Sequence, residues 1–577
     1  MPMFSFREES DHAGIERLFT KEAAMARRSL NGNPYRFQLT IKDLLHSPRT
    51  QALRQEIVYR DRVRYTYADL LDRIGRLASG LAALGVRQGD TVAVFDYDSH
   101  RYLECFFAVP MMGAVLFMVN WRLSPEQIEY TINHAQADVV LINADFLPLF
   151  SSIRGTLSTV RKVVVMSDRD EPHAADFPVD AEYEPMLSSS SPDYDFPDLD
   201  ENTKATTFYT TGTTGLPKGV FFSHRQIVLH TLSVCITVSC HDTPLRFSTS
   251  DVYMPITPMF HVHAWGFPYI ATMMGIKQVY PGKYEPETLV RLILKERVTF
   301  SHCVPTILQM LVNSPIAKTV DLSSWKVVIG GARLPKGLAK AALDLGIQVM
   351  AGYGMSETCP VISVSSLKPS MKHLDNEAKS DIVIKTGIPI PLVDARIVDK
   401  DGTFLPTDGE STGEIVVRAP WFTHGYFKDP AQSGELWRGG WLHTGDVGHM
   451  DAEGYLQITD RLKDVIKTGG EWISSLDLEN AISSHEAVLE AAAVGVPDAK
   501  WGERPVLLVA LKPPYRNNGV TEDALREFMR QCAEQGRIPR YSVPDRCIIT
   551  EDIPKTSVGK IDKKLIRSML AEKGASS

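Results

Sequence analysis

Short apolar runs alternate with longer stretches of helical spacing over most of the chain. Residues 90–97 carry Thr91-Val92-Ala93-Val94-Phe95, a run of β-forming residues. The longest apolar stretch covers 105–119 and is broken by Pro110 and Gly113. It reads as the end of a buried helix, a turn at Gly113, and a core strand over 114–119. It is shorter than the ~18–20 apolar residues that cross a bilayer, so no integral membrane span is expected. Ser124-Pro125-Glu126-Gln127 then opens a helix. Serine caps it, proline suits its first position, and glutamine at the third can reach back to the cap. Residues 139–142 are the next strand. This strand–helix–strand order, with strands apolar on both faces, predicts a largely parallel, buried sheet.

The alternation recurs as a helix over 289–296, strands over 298–301 and 325–329, a helix over 334–345 and a strand over 347–350. Residues 188–202, rich in Ser, Pro and Asp, read as an exposed connector between the two blocks. After Asp460 the segments 476–483, 490–496, 506–511, 522–532 and 546–549 mix helix and strand periods, as a small α+β domain does. Near the N-terminus, Ile15, Leu18, Phe19 and Met25 fall close to helical spacing over 11–28. A helix packed on the main body is the first expectation there, with disorder or a membrane-surface contact as the alternatives.

Composition narrows the class. A chain of 577 residues holds three or four folding units at roughly 100–200 residues each. With 44% hydrophobic and 23% charged residues it is neither disordered nor collagenous. The net charge of −8 argues against a nucleic-acid partner held on a broad basic surface. Seven cysteines, none in CxxC spacing, give no disulfide framework or zinc site. The N-terminus lacks the basic start and apolar run of a signal peptide, so a cytoplasmic protein is expected.

The strongest local signal is Tyr209-Thr210-Thr211-Gly212-Thr213-Thr214-Gly215-Leu216-Pro217-Lys218-Gly219. Glycines permit tight turns, threonine hydroxyls donate hydrogen bonds, Lys218 adds charge, and backbone N–H groups of such a loop can cradle a polyphosphate. The Walker spacing is absent. The segment resembles the phosphate-binding signature of the adenylate-forming superfamily, and further motifs match in that family's order from about Leu39 to Lys564. Ala351-Gly352-Tyr353-Gly354-Met355-Ser356-Glu357-Thr358 resembles the adenine and magnesium motif, in which Tyr353 offers a flat face and Glu357 a hard oxygen. Ser356 stands where threonine is usual and keeps the hydroxyl. Thr444-Gly445-Asp446 resembles the ribose-binding motif, and Gly330-Gly331-Ala332 the strand end beside adenine and the acyl tunnel.

The resemblance implies an α/β fold: a large body of two βαβ-type sheet subdomains plus a distorted β-barrel, and a small mobile α+β C-terminal domain. The expected division is an N-terminal extension over 1–37, a large domain over 38–459, and a small domain over 460–577 with its hinge at Asp460. Arg461, Lys463, Lys467 and Trp472 are then expected at the nucleotide, and Gly469 and Gly470 at the coenzyme A channel. Pro554-Lys555-Thr556-Ser557-Val558-Gly559-Lys560 resembles the motif whose last lysine drives the first half-reaction. Thr210 and Glu357 would hold Mg²⁺.

Thr257-Pro258-Met259-Phe260-His261-Val262-His263-Ala264-Trp265 resembles the gate of fatty acyl-CoA synthetases. Val262 and Trp265 would form the gate, with His261 near the reacting carboxylate. His263 stands where asparagine is usual, and a polar ring there is expected to reshape the tunnel. The implied reaction joins a medium- to long-chain fatty acid to AMP from ATP and transfers it to coenzyme A. A short or thioether acid is the first alternative, and delivery to a carrier protein the second. A non-catalytic nucleotide-binding protein would have lost Glu357 or Lys560; both are present. Family members often dimerise through the large domain, so a homodimer is expected.

Overall fold

The computed structural model describes residues 37–168, 175–210, 216–240, 245–469, 471–516, 519–555 and 561–574. The expected helix over 11–28 lies outside the described residues, as do Thr211, Gly212, Thr213, Thr214, Gly215, Gly470 and Lys560.

In a seven-stranded sheet, Thr91–Phe95 runs parallel between Val115–Met118 and Val139–Asn143. All three strands are buried along their length, as apolar residues on both faces require. The apolar stretch divides as its breakers dictate. The helix His100–Met111 ends, Gly113 turns at φ +79°, and Val115–Met118 enters the core. At the helix Pro125–Ala135, Ser124 Oγ accepts from the Gln127 N–H at 3.3 Å, and Gln127 Oε1 accepts from the Ser124 N–H at 3.4 Å.

The nine-stranded sheet sets Val252–Pro255, Phe300–Cys303, Lys326–Ile329 and Gln348–Gly354 side by side in parallel. The strand expected from 298 begins two residues later. Arg297 turns left-handed, and the Val298 N–H closes the preceding helix on the Ile293 carbonyl, so it is spent before the ladder starts. The 188–202 connector also differs from expectation, because it packs closely. A Cβ on Gly75, within the helix Tyr67–Ala83, would sit 1.9 Å from the Pro192 carbonyl oxygen, and Tyr194 and Phe196 join the core. Glycine is what allows that approach.

An antiparallel half-barrel follows, in which Asp394–Val398, Gly413–Arg418, Trp441–Met450 and Leu456–Arg461 pair in turn. The C-terminal domain has its own sheet. There Gly502–Leu511 pairs antiparallel with Val488–Asp498 and parallel with Arg546–Thr550. Leu478, Ile482, Leu507, Leu525 and Met529 close a core separate from that of the main body. Among the described residues no helix is long and apolar enough to cross a membrane, and all seven cysteines are free.

Candidate adenylation site

The carboxyl ends of the parallel strands Lys326–Ile329 and Gln348–Gly354 bring two glycine-bearing turns together. Ala351 is fixed just before the second by the Ser365 hydroxyl, which accepts its N–H at 2.7 Å. Gly354 must lack a side chain, since a Cβ there would lie 1.8 Å from the Pro360 carbonyl oxygen. Gly331 takes φ +76° at the strand end. With Gly352, Tyr353 and Ser356 it lines one cavity that also reaches His261, Val262 and Trp265. The structure thus gathers expected nucleotide and acyl residues around one space.

Tyr353 Oη donates to Asp446 Oδ2 at 2.6 Å, and Arg461 Nε lies 2.6 Å from Asp446 Oδ1. Asp446 is buried at the bottom of this triad, and the Thr444 hydroxyl accepts its N–H at 3.0 Å. Burial and the Asp446 charge both push the Tyr353 phenol far above its ordinary range.

Glu357 is also buried, and desolvation raises its pKa. The opposing influence is Tyr426, whose hydroxyl donates to Glu357 Oε1 at 2.7 Å. Lys218 Nζ lies 4.7 Å from the centre of the Tyr426 ring, and its charge also favours ionised Glu357. Thr210 pairs with Lys218 where the antiparallel strands Lys204–Thr210 and Lys218–Ser223 meet. No motif points to Tyr426. It reaches Glu357 through a bridge to Val220, a long-range contact with no local signal. Among the described residues no group of three metal-ligating side chains converges. The donor set of Glu357 and Thr210 suits Mg²⁺, which is commonly held by one or two carboxylates plus substrate phosphates.

The segment Val262–Gly266 has an unusual backbone. Val262, His263, Ala264 and Trp265 take φ of 49°, 57°, 47° and 58°, and Gly266 follows at 80°. This is a turn of left-handed helix, in which each L-residue costs roughly 1–2 kcal/mol. Buried packing holds it: all five residues are nearly inaccessible, and a Cβ on Gly266 would meet the His230 ring at 2.8 Å. Trp265 closes the cavity. Its ring edge would touch a Cβ on Gly330 at 2.9 Å, and about 60 Å³ remains open.

His263 does not reshape this space. It points into the core between the sheets, where Nε2 meets Thr206 Oγ1 at 2.8 Å among Phe106, Phe208, Phe222 and Tyr269. The left-handed turn explains the correction, because it sends successive side chains to directions that a strand or ordinary helix would not. Burial lowers the pKa of His263 to about 3, as it does for His230 and His302.

Asp460 lies buried at the junction with the C-terminal domain. One oxygen accepts the Arg461 N–H and the other the Ser475 N–H. Lys563 donates to the Ser475 hydroxyl at 2.6 Å and pairs with Glu479 at 2.8 Å. Lys463, Lys467, Trp472 and Gly469 lie beyond this junction and do not line the cavity. The Gly469 N–H bonds the Trp501 carbonyl at 2.7 Å, and a Cβ on Gly469 would meet the Trp501 ring at 2.9 Å.

Residues 45–427 match the model of the AMP-binding enzyme family, and 477–560 that of the AMP-binding enzyme C-terminal domain. The chain is 41% identical over 538 residues to a long-chain-fatty-acid–CoA ligase of Thermus thermophilus, covering 92% of this chain and 95% of that one. It is 40% identical over 511 residues to a 3-methylmercaptopropionyl-CoA ligase of Ruegeria pomeroyi, with 88% and 92% covered. Among solved structures, ATP-bound MatB from Rhodopseudomonas palustris superposes with a TM-score of 0.78 at 23% identity, covering 92% of this chain and 99% of that one, a likeness of fold. By the extent of these matches and the order of its motifs, the chain belongs to the AMP-binding enzymes, the adenylate-forming superfamily.

Proposed function

We propose that the protein is an ATP-dependent acyl-CoA ligase whose acid carries an apolar chain. The observation that carries this reading is the single cavity joining the glycine-rich floor at 330–331 and 352–354 to a wall of Val234, Val238, Val262 and Trp265. A carboxylate at that junction has the nucleotide on one side and an apolar lining for its tail on the other.

In the first step a carboxylate oxygen attacks the α-phosphorus of ATP. The bond to the β-phosphate oxygen breaks, and pyrophosphate leaves. Lys218 and the loop hydroxyls of Thr210, Thr211, Thr213 and Thr214 hold the leaving group, with Gly212 and Gly215 allowing the loop to turn. Tyr353 offers its face to the adenine beside Gly331, Ala351, Gly352 and Ser356. Asp446 exchanges its Tyr353 and Arg461 contacts for the ribose hydroxyls. Glu357 and Thr210 would hold Mg²⁺, which offsets phosphate charge when bound. Lys560 aims fixed positive charge at the atoms where negative charge develops. The small domain then turns about Asp460, carrying Lys463, Lys467, Gly469, Gly470 and Trp472 with it. A thiolate attacks the acyl carbon and AMP leaves. Turning one domain lets a single pocket serve both steps.

A medium- to long-chain fatty acid fits if Trp265 leaves its seat on Gly330, with His261 at the rim near the carboxylate. The second reading, a short or thioether acid, has behind it the 40% identity to a 3-methylmercaptopropionyl-CoA ligase. AMP release with acids from acetate to palmitate, each with coenzyme A or a carrier protein, tests the whole scheme. Turnover only with the carrier overturns the coenzyme A assignment. Lys560→Ala is expected to abolish adenylation and largely spare the thiol step; equal loss of both overturns its role.

A further inference from the structure

One buried carboxylate belongs to neither the motifs nor the scheme above. Asp98 lies just past the strand Thr91–Phe95 of the seven-stranded sheet, on a loop fixed at both ends. Asp96 there accepts the Ser99 hydroxyl and, at 2.7 Å, the Asn143 amide, and Ser99 caps the helix His100–Met111. From this loop Asp98 reaches across to the nine-stranded sheet. Oδ1 accepts the Met259 N–H at 2.8 Å, and Oδ2 accepts the Tyr284 hydroxyl. Its carbonyl accepts the Gly282 N–H at 2.9 Å. Met259 and Tyr284 follow the adjacent parallel strands Val252–Pro255 and Lys277–Tyr280, so one side chain pins the ends of two strands of the other sheet.

Met259 stands at the entry to the left-handed turn. The His261 N–H bonds the Pro258 carbonyl at 2.9 Å, the Ala264 N–H bonds the His261 carbonyl at 3.1 Å, and the Phe260 ring meets Trp121 at 5.7 Å. These linked turns carry the placement of Met259 on to His261, Val262 and Trp265, which line the cavity. A strained backbone of that kind persists only while its surroundings over-determine it.

The anchor depends on its charge. Burial pushes the Asp98 carboxyl up to about 7, while the Tyr284 hydroxyl, the Met259 N–H and the Arg122 charge favour the ionised form and the Asp96 charge opposes it. The phenols of Tyr102, Tyr253 and Tyr280 also face it, each kept protonated by burial first, with the Asp98 charge adding to the effect. A carboxylate accepts from Met259 and Tyr284 at once. The protonated acid keeps one acceptor oxygen and turns the other into a donor.

We propose that Asp98 is a positioning residue for the acid: by holding Met259 and Tyr284 together, its carboxylate fixes the segment that carries His261, Val262 and Trp265 and so sets how tightly the acid is held. This rests on the ligase reading. On the nucleotide side Tyr353, Arg461 and Asp446 are matched among themselves, so the effect falls on the acid and not on ATP.

The test separates the two substrates. ATP–pyrophosphate exchange is measured between about pH 6 and about pH 8.5 with the best acid of the series from acetate to palmitate, and KM is taken for the acid and for ATP. A carboxylic acid is ionised across this range, so it adds no limb of its own. At about pH 8, Asp98→Asn, which keeps one acceptor and loses the charge, is expected to raise the acid KM about tenfold, the scale of one hydrogen bond to a charge, and to leave the ATP KM within about twofold. In the wild-type protein the acid KM is expected to rise as pH falls through about 7, where Asp98 takes a proton, and the variant loses that rise. This limb is in the acid KM, whereas protonation of Glu357 is read in kcat. An acid KM in Asp98→Asn equal to that of the wild type at about pH 8, equal rises in both KM values, or a rise toward low pH as large in the variant as in the wild type overturns the proposal. If Asp98→Asn fails to fold, Tyr284→Phe takes its place: loss of the phenolic donor moves the limb to higher pH, and an unmoved limb overturns the proposal equally. Absence of exchange with every acid from acetate to palmitate, in protein that binds ATP, overturns the ligase reading itself and is a different result from an unchanged KM.

Discussion

The two halves of the proposed site, nucleotide and acyl, are built on opposite terms. The nucleotide half is polar and internally matched: Tyr353, Arg461 and Asp446 satisfy one another, and Tyr426 answers Glu357. The acyl half is apolar and strained. Four consecutive L-residues run left-handed there, and His302 beside Trp265 keeps a nitrogen with no hydrogen-bond partner among the described residues. A matched polar site can wait for any nucleotide of the right shape. A strained apolar site must be moved before it accepts its ligand, and this makes it the natural place for choosing among acids.

The comparison is tested most severely at Glu357. Glu357→Gln removes the hard anionic oxygen and keeps an acceptor for Tyr426. Adenylation is expected to fall by roughly a thousandfold in kcat, within the range for lost electrostatic stabilisation. The order of preference among acids, measured by exchange, should not change. A reordered preference would mean that the halves are not separable.

Gly354→Ala comes next. Its Cβ would lie 1.8 Å from the Pro360 backbone oxygen, so the strand pair Gln348–Gly354 and Val361–Val364 has to separate. A loss of at least about 3 kcal/mol in denaturant unfolding is expected. Retained stability would show that the floor yields as readily as the gate.

Tyr426→Phe probes the matching itself. It removes the hydrogen bond that favours ionised Glu357, leaving burial to dominate. In the proposed scheme the carboxylate form is the metal ligand, so activity is expected to rise with pH through the Glu357 pKa. The variant should lose about tenfold in kcat, the scale of one hydrogen bond to a charge, and its acid limb should move to higher pH. A pH–rate profile that keeps its acid limb would remove Tyr426 from the site.

His263 is tested by a slope in pH, with no change expected near neutrality. Its folded pKa of about 3 lies below the ordinary value for histidine, so the folded state resists a proton that the unfolded chain accepts. Its contribution to stability is complete above about pH 6.5 and is lost as pH falls toward 3, at up to about 1.4 kcal/mol per pH unit. Unfolding of His263→Phe between pH 6.5 and 4 should therefore steepen less than that of the wild type. Equal slopes would mean that His263 is not buried as a neutral ring in the folded protein.

The same contrast divides what can be read in the sequence. The nucleotide half is written in contiguous motifs, because a glycine turn, its tyrosine and its glutamate must follow one another along a single strand end, here 352–357. The capped helix at Ser124 and the break at Gly113 are legible for the same reason: a cap or a turn is a local event. The acyl half is assembled from positions far apart in the chain, namely Val234, Trp265 and Val328. His263 is misplaced by the resemblance, which gives its position in a motif but not the direction its side chain takes from a left-handed turn. Tyr426 is found only through its partner, since its register is set by a bridge to Val220.

The left-handed turn at Val262–Gly266 also bears on how such a protein can change over generations. Glycine would ease every one of these backbone positions, yet four of the five carry side chains, and those side chains are buried. The backbone is therefore held by what its side chains fill, and an insertion or deletion there would release the whole arrangement. New acid preferences are accessible by exchanging residues that face the turn from other strands and helices, one at a time, while the turn itself is inherited intact.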